Sequence, residues 1–146
     1  MWGSSKKQDR QIKGVTGAIT PFVTDTLGRL DPEDLEEASI KRKYAIYYIY
    51  GAVLYLAEYD DLGKDVKAVL VTNILGEQMS VDQAAIDKLP VTEDHADAVR
   101  ETQFMIEGAS ALRNWLTTGE REKNAAYLKE LLDNPDCITG ESETEH

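Results

Sequence analysis

The stretch from Tyr44 to Tyr59, YAIYYIYGAVLYLAEY, holds six of the seven tyrosines in the chain and is apolar or aromatic at almost every position. Turned through about 100° per residue, it puts Ile46, Ile49, Val53 and Leu56 on one side and Tyr44, Tyr48, Tyr55 and Tyr59 on the other. A helix with no polar face must be covered from several directions or lie in a membrane. The membrane option fails on length. A span needs about 20 residues, and the run from Tyr44 to Ala57 falls short of that, so stable membrane insertion is not expected even with Lys41, Arg42 and Lys43 abutting it. The segment is therefore read as the central helix of an all-α fold.

The flanking sequence supplies helices to cover it. Ile12, Val15, Ile19, Phe22, Val23, Leu27 and Leu30 have helical spacing, but Gly14, Gly17 and Pro21 interrupt them. Two short pieces are predicted there. Asp31, Pro32, Glu33 and Asp34 combine an N-cap carboxylate, a first-turn proline and acids at the positive end of a helix dipole. A helix should begin at Pro32 and run to about residue 60, long enough to allow a kink near Gly51, with Gly63 as its stop. Residues 65–79 make a further amphipathic helix. Ser80 and Gln83 match a capping box for a short one ending before Pro90. Thr92 caps a long helix over 93–118, in which Gly108, Ala109, Ser110 and Ala111 mark a close helix crossing; Gly51 offers a second such point. Residues 120–132 form the last helix.

The expectation is thus a compact bundle of about five or six helices. A single domain spans 1–132, with 1–8 flexible and 133–146 an acidic tail. The predicted core is Ile46, Ile49, Val53, Leu56, Val69, Leu70, Ile74, Met105, Leu112, Leu116, Leu128 and Leu132.

Charge narrows the function. In residues 1–14, four basic residues against Asp9 give +3, which leaves −14 for the remainder of a chain whose total is −11. Such a body repels phosphate backbones and attracts basic proteins, so nucleic acid is not an expected partner. The only cysteine is Cys137, so a disulfide within the chain and a cysteine metal cluster are both ruled out. With no apolar core behind its basic residues, the N-terminus is not a secretory signal, and cytoplasmic location is expected.

No phosphate-binding glycine loop, nucleophile elbow or paired Glu-x-x-His motif occurs, and catalysis and a resident cofactor are not expected. Two features carry a functional reading. Tyr44, Tyr48, Tyr55 and Tyr59 form a candidate partner surface, since tyrosine offers broad contact area with a polar tip. The bland alternative is that a neighbouring helix covers them. Asp94, Asp97 and Glu101 share a helical face and make a weaker candidate for a hard cation; Glu58, Asp60, Asp61 and Asp65 form a second acidic group. The leading expectation is a non-enzymatic interaction module of adaptor, inhibitor or dedicated-chaperone type, with a basic protein partner or self-association. The alternative is a helical domain that binds a ligand or divalent ion through the carboxylates or a tyrosine groove.

Overall fold

The computed structural model describes residues 2–89 and 95–133, with side chains from residue 6 in the first part and from residue 99 in the second. It is all-α. Among these residues the helices are α1 (Trp2–Gly28), α2 (Ile40–Tyr59), α3 (Lys64–Met79), α4 (Gln83–Asp87), α5 (His95–Thr118) and α6 (Arg121–Asp133), with no strand. No described helix is long and apolar enough to cross a membrane. The region predicted as the start of the long α5 helix, Thr92 to Asp94, lies outside the described residues, as does the tail from residue 134.

The centre of the bundle is α2, whose main packing partner is α5. Ala45, Tyr48, Ile49, Ala52, Val53 and Ala57 have no more than a trace of exposed surface, and Tyr44, Tyr47, Tyr50 and Leu56 are buried as well. Two glycines set the approach to α5. A Cβ on Gly51 would overlap the backbone of Met105, and one on Gly108 would overlap the carbonyl of Tyr48. Both positions were expected to mark close crossings, and both do. Tyr44 stacks on Phe104 at 4.8 Å while Tyr48 meets Gly108, so α2 and α5 run in the same direction.

Helix α1 is unbroken, contrary to the two pieces predicted. Gly14 and Gly17 face open space, and Pro21 is exposed, as is Gly17, whose carbonyl loses its partner to the proline ring. Glycine costs about 1 kcal/mol at a helix interior, but burying Val15, Ile19, Phe22, Val23 and Leu27 on one face is worth about 1.5–3 kcal/mol each. Burial therefore wins over local propensity. The described helix begins at Trp2.

The long helix predicted from Pro32 is divided. Pro32–Leu35 form only a 3-10 turn, the Asp31 side chain does not cap it, and Ser39 starts α2 by accepting from the Lys41 amide at 3.1 Å. The break brings the buried Asp34 to 3.6 Å from Lys41. In one continuous helix those residues, seven apart, would be separated by about 10 Å of rise. The far end also differs from expectation. Asp61 (φ +57°), not Gly63, takes the left-handed position after α2, with Leu62 N–H donating to Ala57 and Asp61 N–H to Glu58 in a Schellman arrangement. Gly63 (φ −74°) instead precedes α3 as its N-cap.

Ser80 likewise ends α3 in a left-handed conformation (φ +56°) and does not cap α4. Asp82 performs that task, accepting from Ala85 N–H at 2.9 Å. In the predicted core, Val69 and Leu116 are corrected to exposed positions, and Ile46 and Met105 are half-buried. Val66, Leu70, Val71, Ile74 and Leu75 define the covered arc of α3, with Val69 on the side away from it; Leu116 sits at the edge of the covered arc in the last turn of α5.

Candidate functional site

The four tyrosines of the proposed partner row do not share one environment. Tyr44 lies under α5: its ring stacks on Phe104, Arg100 donates to its hydroxyl at 3.1 Å, and Lys43 and Arg100 each approach the ring at 5.8 Å. Tyr48 has 0 % exposure and packs against Phe22 at 6.4 Å. Its hydroxyl has no hydrogen-bond partner, and burial, followed by the neighbouring Tyr127, Glu107 and Glu130, raises its pKa well above the ordinary value. Neither ring offers a surface to a partner in this state of the molecule.

Tyr55 and Tyr59 differ. They stack nearly parallel, 6.2 Å apart and one turn from each other, with Tyr55 half-buried and Tyr59 73 % exposed. Tyr59 closes α2, and the turn that follows is acidic. Glu58, Asp60, Asp61 and Asp65 are all exposed around it, with Lys67 reaching Glu58 at 3.5 Å. The left-handed conformation of Asp61 folds the chain back so that α3 starts four residues after Asp60, which keeps these carboxylates at one corner. An aromatic plate ringed by carboxylates can stack a guanidinium or aliphatic stem and pair its charge. The signal for this corner was present in the sequence as the contiguous run Glu58-Tyr59-Asp60-Asp61, which the division into a tyrosine face and an acidic group splits in two.

The cation candidate is not assembled within what is described. Asp94 lies outside the described residues, and Asp97 is on α5 with its side chain outside them. Glu101 is 3 % exposed and pairs with Lys43 at 3.0 Å, leaving one carboxylate oxygen without a partner. Among the described residues no group of three or more His, Cys, Asp or Glu is placed to hold a metal.

One groove involves a tyrosine missed by the predicted row. Tyr50 lines a cavity of about 350 Å³ between α2, α3 and α4, with Leu54, Val71, Ile86 and Leu89 as apolar wall and Lys64 and Lys67 at its edge. Burial raises the Tyr50 pKa. Tyr50 projects between the two arcs considered for α2, so only the position of α3 reveals it.

The fold and these surfaces define an all-helical bundle built on one buried helix. Comparison with protein-family models, with curated proteins and with solved structures gives no match.

Proposed function

We propose that this chain is a non-enzymatic interaction module of the cytoplasm that captures a basic protein segment at the corner between α2 and α3. The observation that carries the reading is the stacked Tyr55–Tyr59 pair, exposed at Tyr59 and bordered by Glu58, Asp60 and Asp61. Exposed tyrosine supplies contact energy, and the carboxylates supply attraction and register for lysine or arginine. Catalysis needs neither feature, and the net charge disfavours a phosphate backbone.

The test is a nuclear magnetic resonance titration of the labelled protein with a short lysine-rich peptide carrying one apolar anchor. Shifts should concentrate in residues 55–65, and Tyr59→Ala should weaken binding by about tenfold or more, the effect of losing an aromatic anchor. Shifts spread evenly over every acidic surface, with Tyr59→Ala binding as the parent does, would overturn the reading.

A second reading has its own observation. The groove lined by Tyr50, Leu54, Val71 and Ile86, with Lys64 and Asp87 both on its wall, has the size of the smaller ligand sites, about 300 Å³ and upward, and would suit a compact ligand with an apolar body and a polar end.

A further inference from the structure

The chain itself carries a basic segment of the kind this corner would bind. Lys6, Lys7, Arg10 and Lys13 at the start of α1 are all exposed, and Val15 is the first buried residue of that helix. Among the described residues no carboxylate pairs with any of these four cations.

Their position follows from the packing. Just beyond the end of α1, Asp31 meets Lys129 at 3.4 Å. Lys129 and Lys41, the latter in the first turn of α2, share Asp133 at 3.3 and 3.5 Å. The end of α1 therefore lies toward the start of α2, and Phe22, in the last quarter of α1, packs on Tyr48 near the middle of α2. It follows that α1 runs opposite to α2 and its basic beginning points toward the end of α2 that bears Tyr59. Counted from Phe22, Lys6 lies about 24 Å back along α1, and counted from Tyr48, Tyr59 lies about 17 Å on along α2, so the first basic turn extends past the end of α2 by about 7 Å and Arg10 stands about level with Tyr59.

We infer that two copies of this chain associate end to end, each laying its basic overhang on the Glu58-Tyr59-Asp60-Asp61 corner of the other. Both halves of the contact sit at the same end of the molecule. A single two-fold axis there satisfies both contacts at once and closes the assembly as a dimer. Within one copy the continuous helix holds Lys6 and Lys7 past the end of α2, so they serve a neighbour better than their own corner. Charge is complementary, with +3 over residues 1–14 against −14 over the rest, and Tyr59 gives the arriving lysine or arginine an aromatic face to rest on. The inference rests on the reading of the corner as a docking surface.

Sedimentation equilibrium on the full chain tests it. The parent should be dimeric at low salt and dissociate as salt is raised. Reversing the overhang (Lys6→Glu, Lys7→Glu, Arg10→Glu) or the corner (Asp60→Lys, Asp61→Lys) should each weaken association at least tenfold while leaving the helical circular-dichroism signal intact, because all five residues are exposed. Mixing the two reversed proteins pairs an acidic overhang with a basic corner and a basic overhang with an acidic corner, and should restore a dimer. A parent that is monomeric at every concentration, or a dimer indifferent to both reversals, would overturn the inference. If that monomer still binds the lysine-rich peptide at residues 55–65, only the self-association fails. If it binds no peptide either, the reading of the corner fails as well.

Discussion

The hydroxyl of Tyr48 is a polar atom held in the core without a partner, an arrangement that costs about 1–3 kcal/mol relative to a satisfied one. It also makes folding sensitive to alkali. Its pKa is raised in the folded state, so the folded protein holds that proton to higher pH than the unfolded chain does. The stability linked to this group is complete below the ordinary phenol value of 10.0 and is lost as pH rises beyond it. Denaturant melts from pH 8 to 11 should show a steeper loss above about pH 10 in the parent than in Tyr48→Phe. At neutral pH the variant should equal the parent or exceed it by about 1 kcal/mol, since the ring survives and the orphaned hydroxyl goes. A clear loss of stability at neutral pH would mean that the hydroxyl is hydrogen-bonded in solution.

Between elements, the α2–α5 crossing depends on two residues that lack a side chain. Gly108→Ala drives a methyl into the Tyr48 carbonyl, and backbone on both sides cannot yield as a flexible side chain would. The expected loss is about 3 kcal/mol or more, read as a fall in the urea midpoint. Gly17→Ala is the matched control. It adds the same methyl to a helix in open space and should raise stability by about 1 kcal/mol. Equal effects from the two would mean that the crossing is looser than described. This crossing was legible in the sequence, because a helix apolar all round needs a close neighbour and Gly51 and Gly108 stand where one can approach. The continuity of α1 was not. There the local signals of Gly14, Gly17 and Pro21 favour a break, and only the buried face from Val15 to Leu27 outweighs them. The division at residues 36–39 was equally hidden, since it brings Asp34 to Lys41 and nothing in the cap residues announces that pairing. The candidate site was half legible. Tyr59, Asp60 and Asp61 are neighbours in sequence, but the packing of α5 and α1 decides which tyrosines stay outside: Phe104 of α5 covers Tyr44 and Phe22 of α1 covers Tyr48.

At the scale of the whole molecule the decisive quantity is the uneven charge, +3 at the beginning of the chain against −14 over the rest. A basic partner approaching the α2–α3 corner is drawn by Glu58, Asp60, Asp61 and Asp65 but meets the basic overhang of α1 at the same end. The two fields oppose each other, and both are screened beyond about 8 Å at physiological ionic strength. Association of the lysine-rich peptide with the monomer, followed by stopped flow at protein concentrations too low for self-association, should therefore slow as salt rises, while dissociation changes little because short-range contact with Tyr59 governs it. Neutralising the overhang with Lys6→Gln, Lys7→Gln and Arg10→Gln should speed association at low salt and steepen its salt dependence, since only attraction then remains. Tyr59→Ala should do the reverse kinetically, raising the dissociation rate and sparing the association rate. An association rate indifferent to both salt and overhang charge would remove steering from the account and leave Tyr59 as a contact without an electrostatic guide.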